Sequence, residues 1–319
     1  GKVAAVFFAI FCIGGSFGGG NAAQSNQATI VLKQLLGLES TSAGAIIGLV
    51  LAILVGIIII GGIKRIASVT ERIVPFMALL YLIACLYILL INFTLIDDAI
   101  SLIVNEAFNP TAMGVGGFIG VLMVGFKRAA FSNEAGVGSA SIAHSAVKTK
   151  YSASEGLVAL LEPFIDTVVI CTMTALVIII FNFGGYFEYG GDGMGTVLID
   201  GVPFEGAGIT SQAFAQYIPF SDIFLTIAVV LFAVSTMISW SYYGLQSWKY
   251  LFGRGQVADI TYKLICCMVV VIGSAASMNS IWDFSDAMIF AMVFPNMIGL
   301  FFLFPVVKKE LEKYLKAIK

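Results

Sequence analysis

The sequence predicts an all-α polytopic membrane protein, and three observations carry that prediction. The 319-residue chain is 59% hydrophobic and 11% charged, whereas ordinary soluble domains are about 25% charged. Its mean hydropathy is +0.99. Apolar runs that match the about 20 helical residues needed to cross a hydrocarbon core of about 30 Å recur along the whole chain and leave no polar block of domain size. The connections between these runs alternate in charge. Strands of a lipid-facing barrel would alternate apolar and polar residues, whereas residues 52–60 are apolar at every position, so the spans are read as helices.

Eight spans are predicted, at roughly 3–26, 42–63, 74–95, 113–131 continuing after a break to 147, 156–182, 221–244, 261–279 and 284–306. Residues 1–306 are thus one transmembrane domain. Gly1 rather than Met opens the chain, and Val3 already enters an apolar run without a charged leader or cleavage site, so the start reads as a cut.

Lysine and arginine stay on the cytoplasmic side. Lys64, Arg65 and Arg72 fall between spans two and three, Lys148 and Lys150 between four and five, and Lys249, Arg254 and Lys263 between six and seven. Lys308, Lys309, Lys313, Lys316 and Lys319 follow span eight. The intervening connections are acidic, with Lys33 as their only basic residue. The expected topology therefore has a cytoplasmic carboxyl end and a first span rising from inside to outside. Residues 183–210 form a glycine-rich external loop in which Asp200-Gly201, between two apolar triplets, signals a type I′ hairpin. In the tail, 307–319, Lys alternates with Leu and Ile at helical spacing, the pattern of a basic amphipathic helix lying at the inner headgroups.

Composition also excludes functions. Net charge is −2 and the 17 basic residues are strung between apolar runs, which provides no face for nucleic acid. The five cysteines sit inside apolar runs without zinc or disulfide spacing, and His144 is the only histidine. A multi-histidine metal site and a Ser/His/Asp hydrolase are set aside, and His144 is read as a packing residue.

Span four carries Lys127, Arg128 and Glu134 together with capping residues and Gly136 and Gly138. Such a segment is tolerated at membrane depth only where it is buried in protein or lines a wet cavity. The expectation is a discontinuous helix in which Ser132 or Asn133 caps a second half-helix and Glu134 sits in its first turn. Free N–H groups there would receive the carboxylate of a small solute. Span five carries Glu162 and Asp166 on one face. A rise of about 1.5 Å per residue puts Glu162 roughly 10 Å deep and Arg128 about 8 Å above the inner boundary, so an Arg128–Glu162 ion pair is predicted, with Asp166 as a second partner. In span one, Asn21 and Gln24 follow a glycine-rich stretch and can either hydrogen-bond between helices or touch a solute. In span six the hydroxyls of Ser235, Thr236 and Ser239 can gather around sodium or bond back to their own helix, and Trp240 can wall a pocket.

At these residues the chain resembles the sodium:alanine (alanine or glycine:cation) symporter family. The resemblance rests on Phe131–His144, Phe164–Ala175, Gly61–Ile66, Val74–Met77 and Ser239–Gly244, and it runs over nearly the whole chain. It implies a leucine-transporter-type fold of two inverted five-helix repeats. The charge pattern agrees, since span one opposes six, two opposes seven and three opposes eight. Span four then opens the second repeat, and its counterpart, the family's first broken helix, would precede Gly1, leaving the site of this chain incomplete. The resemblance implies substrate contacts at Asn133, Gly136 and Gly138 on the span-four break, at Thr236 and Trp240 on span six and at Gln24 on span one; Asn21, Phe131, Ser132 and Met237, beside these positions in the sequence, are further substrate-site candidates. The family pattern favours Gly after Arg128, where this chain has Ala129.

The function this implies is secondary active import of a small neutral amino acid, alanine or glycine, with sodium as the transported ion and no organic cofactor, in a bacterial or archaeal cytoplasmic membrane. Coupling to protons instead of sodium stays open at this point. A passive channel would show a continuous polar stripe along several helices, whereas the polar groups here gather around one depth. No covalent chemistry is required.

Overall fold

The computed structural model describes residues 1–38, 40–108, 125–189 and 196–318. Among the described residues seven helical segments are long and apolar enough to cross a membrane. The start of the expected fourth span, up to residue 124, lies outside the described residues, as do 190–195 of the glycine-rich loop and Lys319.

The first crossing consists of α1 (Lys2–Gly15), a π-helical stretch (Ser16–Ala22) and α2 (Ala23–Leu36). Its wide turns have a local cause. The Asn21 amide donates to Ser16 O at 2.7 Å and Gln24 to Gly19 O at 3.2 Å, each five residues back, so side chains enter the backbone ladder. Gly37, left-handed at φ 64, closes α2. Ser40 caps α3 (Thr41–Ile60) by accepting from Ala43 N at 3.2 Å.

Only Gly61 separates α3 from α4 (Gly62–Ile91). Lys64, Arg65 and Arg72 therefore lie within the first turns of a helix, and not in a connecting loop as expected. The apolar-run criterion missed those turns because they are polar. For the same reason it missed α5 (Ile96–Ala107), whose Asp97 and Asp98 in the first turn complement the helix dipole.

After α5, residues 125–133 form α6, followed by the short α7 (Ala140–His144). The next crossing is assembled from α8 (Ser152–Ala159), the single turn α9 (Leu161–Pro163), a π-helical stretch (Phe164–Cys171) and α10 (Thr172–Asn182). Strands β1 (Thr196–Ile199) and β2 (Val202–Glu205) pair antiparallel, Thr196 opposite Glu205 and Ile199 opposite Val202. Asp200 and Gly201 between them have φ 52 and 77, the left-handed pair of a type I′ turn. Helices α11 (Ala207–Tyr217), α12 (Ser221–Phe252), α13 (Gln256–Ala275) and α14 (Met278–Ala317) complete the chain. Residues 307–317, expected as a separate surface helix, continue α14 without interruption past Pro305.

Helix α12 is the centre of the bundle, packing on the first crossing, on α4 and on α13, while α3 lies along α13 and α1 along α14. One core joins Leu51, Ala52 and Val55 of α3 to Val234, Met237 and Ile238 of α12. A second joins α4, α10 and α11 to the inward residues of the hairpin, Val197 and Ile199. Outward the bundle is apolar: Ile53, Ile57 and Ile60 on α3 and Phe301 and Phe302 on α14 are exposed. On helices of this length such a surface is lipid contact. The chain is an integral membrane protein.

Candidate functional site

The site is built at the end of α6. Glu134, Gly136 and Gly138 have φ 54, 82 and 98, so the backbone leaves the helix after Asn133. The turn is closed by Ala135 N donating to Asn133 Oδ1 at 2.9 Å and Val137 N to Glu134 O at 3.1 Å. Helix α14 holds the turn from the side: Asn296 donates to Gly136 O at 2.8 Å, and a Cβ at Gly138 would stand 2.7 Å from the Asn296 side chain.

This corrects the expected capping. Ser132 and Asn133 belong to the last turn of α6, and the cap position of α7 is Ser139, six residues beyond Asn133. The left-handed residues delay the second helix. The break therefore presents the carboxyl end of α6, where a helix leaves its last carbonyls outside its own ladder, and the Glu134 side chain. These are groups for a cation or an ammonium.

A cavity of about 1120 Å³ adjoins the break, slightly above the about 300–1,000 Å³ usual for small-molecule sites. Gly19 and Gln24 line it from the first crossing, Arg128, Phe131, Ser132 and Glu134 from α6 and the break, and Thr236 and Trp240 from α12. Trp282, Asp283 and Ile289 close the α14 side, and Gly206 and Ile209 lie across from them. Trp240 donates its indole N–H to Glu134 at 2.7 Å, and the Ser139 hydroxyl donates to the other Glu134 oxygen. Trp240 reaches this place because Gly20 has no side chain: a Cβ there would overlap Trp240 Cβ.

Of the residues expected to touch substrate, Gln24, Phe131, Ser132, Thr236 and Trp240 line this cavity; the others lie elsewhere. Asn21 is fully buried and occupied by Ser16 and by the Ser241 hydroxyl at 3.3 Å, because the π-helical turn rotates it into the interface with α12. Asn133 points to Thr167 Oγ1 at 2.8 Å. Gly136 and Gly138 shape the turn without facing the cavity, and Met237 is fully buried in the core with α3. The expected sodium trio does not converge. Ser235 donates to Phe232 O at 2.8 Å and Ser239 to Ser235 O at 2.9 Å, while Thr236 alone of the three lines the cavity. The two serines spend their hydroxyl protons on carbonyls of the preceding turn of α12, the usual behaviour of serine inside a helix.

The expected ion pair is also corrected. Arg128 pairs with Asp286, with its guanidinium over the rings of Phe131 at 5.3 Å and Trp282 at 4.9 Å. Depth matching compares heights alone, and the face of α6 that carries Arg128 belongs here to α14. Glu162 instead stands 3.6 Å from His144 Nε2, and His144 Nδ1 is 2.7 Å from Glu155, so the histidine is a partly exposed polar bridge and not a packing residue. Asp166 accepts from Ser132 and Thr167.

Trp282, Asp283 and Asp286 were missed because their stretch was read as the connection before span eight. The spacing of Trp282 and Asp286, four apart on one helical face, was the available signal once that helix is allowed to start at Met278.

The family model described as "Sodium:alanine symporter family" matches residues 1–319. The chain is 38% identical over 315 residues to the sodium/alanine symporter AgcS of Methanococcus maripaludis, covering 98% of this chain and 65% of that one. An uncharacterized transporter of Haemophilus influenzae is 34% identical over 323 residues, 99% of this chain and 66% of its own. The probable sodium/glutamine symporter GlnT of Bacillus subtilis is 30% identical over 299 residues, 94% and 59%. The chain thus spans about two thirds or less of the length of these relatives.

Proposed function

This chain belongs to the sodium:alanine symporter family, and from that premise we propose that it serves secondary active import of a small neutral amino acid, alanine or glycine, with sodium. The fold we assign is the leucine-transporter type with inverted repeats, its carboxyl end in the cytoplasm of a bacterial or archaeal cell. One observation carries the reading: a helix stops beside a large cavity inside a bundle of bilayer-length helices. Irregular backbone at such depth is sustained where it lines a cavity or is held by protein.

The cavity suits a zwitterion. Glu134 and the carboxyl end of α6 provide negative potential for an ammonium or for sodium, and the guanidinium of Arg128 provides positive potential for a carboxylate. Gln24 and Thr236 offer neutral polar contacts, and Trp240, Phe131 and Trp282 set the room for an apolar side chain. Sodium and the amino acid bind one accessible state together, and the repeats then rock to expose the site on the other side. The membrane potential contributes about 2.3 kcal/mol per charge per 100 mV.

Uptake of labelled alanine and glycine into proteoliposomes tests the proposal. Uptake should require an inward sodium gradient; equal uptake without it rejects coupling, and uptake driven by a proton gradient alone assigns the coupling to protons.

A further inference from the structure

Buried polar atoms almost always have a hydrogen-bond partner. Asn26 Oδ1 and Thr29 Oγ1 have none, although Asn26 is 6% and Thr29 2% exposed. Three apart on α2, they share a face and line a second cavity, of about 280 Å³, between α2, α3, the end of α13 and the hairpin. We propose that this cavity is a binding site for a monovalent hard cation, sodium in the membrane context proposed above, distinct from the central cavity.

The orientation of Asn26 is fixed by its nitrogen, which donates to Gly273 O and Ala276 O at 3.0 Å each. Its oxygen is an acceptor only, so it must be met by a donor or a cation. Ser274 and Glu205 on the lining also present oxygen. Ser274 gives its proton to Val270 O at 3.0 Å and keeps its lone pairs. Its backbone carbonyl faces Gly44, where a Cβ would stand 2.8 Å away. That carbonyl belongs to the last turn of α13, the negative end of the helix dipole. Glu205 contributes a carboxylate and Lys33 an ammonium, so the charged side chains balance. One further positive charge fits the helix end and the orphaned oxygens, whereas a divalent ion would leave more charge unmatched. Oxygen donors select hard cations, and the volume leaves room for water in the remaining coordination positions. The cavity shares Met278 and Asn279 with the central one and so stands beside it. The inference rests on the proposed function only for the identity of the ion.

The test uses purified protein without amino acid, titrated with sodium chloride against choline chloride at constant ionic strength. Thermal unfolding and binding of radiolabelled sodium are the readouts. Thr29→Val removes a hydroxyl that has no hydrogen bond within the protein, so in a cavity filled by water alone it leaves the response to sodium unchanged. Glu205→Gln is the second variant. With a cation bound, each raises the half-saturating sodium concentration about tenfold and lowers the sodium retained per chain. Titrations that match wild type in both variants, or a wild type that does not respond to sodium, overturn the site. Transport is judged separately by the uptake assay: retained sodium binding without gradient-driven uptake would end the symport reading and leave this site standing.

Discussion

The indole N–H of Trp240 donates to Glu134 at 2.7 Å, joining the central helix α12 to the turn that ends α6. Both side chains line the central cavity, so the bond sets one wall of the site. Leaving a buried acceptor without its donor costs about 1–3 kcal/mol. Trp240→Phe is therefore expected to lower stability by about that amount and to raise the alanine KM about tenfold, measured by thermal unfolding and by proteoliposome uptake. An unchanged KM would remove Trp240 from the site.

Gly20 is where the first crossing meets Trp240. Gly20→Ala overpacks that contact, and overpacking costs about 1–3 kcal/mol. A lower unfolding temperature together with weaker alanine uptake is expected, whereas Gly125→Ala, at a position with open space around an added Cβ, should lower neither.

Arg128 is assigned to Asp286. A double-mutant cycle of Arg128→Gln and Asp286→Asn should give a coupling of about 1 kcal/mol, the scale of a partly exposed pair. The cycle with Glu162→Gln should give none. Arg128→Lys should not restore stability, since an ammonium lacks the planar fork that lies over Phe131 and Trp282. Coupling to Glu162 in place of Asp286 would reverse the assignment.

The hydroxyls of Ser235 and Ser239 bond within their own helix. Ser235→Ala and Ser239→Ala should leave the sodium concentration for half-maximal uptake within about twofold of wild type. Thr236→Ala, on the cavity wall, should raise the alanine KM or the sodium requirement about tenfold. The opposite ranking would return the serines to the ion site.

The helical membrane class was legible because a bilayer imposes length and apolarity on every crossing, and that signature survives without tertiary information. Helix ends were not: the polar first turns of α4, carrying Lys64 and Arg65, and all of α5 fail an apolar-run criterion although tertiary packing makes them helical. The approximate place of the break was legible from the charges and glycines around Glu134. The direction in which it faces was not, because capping residues read alike at either end of a helix until Gly136 and Gly138 decide where the next helix starts. Depth counting failed for Arg128 because it compares heights and ignores azimuth, and azimuth selected Asp286.

Gln27 accepts from Ala207 N at 3.0 Å through its oxygen and reaches Met278 Sδ at 3.2 Å through its nitrogen. A single primary amide thus bolts together three parts of the molecule: the first crossing, the segment that follows the hairpin, and the start of α14. Met278 and Gly206 are also walls of the central cavity. Any widening of that mouth which draws α14 away from the start of α11 must unfasten one end of this side chain. The start of α11 and that of α14 are therefore mechanically geared to one another through a residue that does not itself line the central cavity.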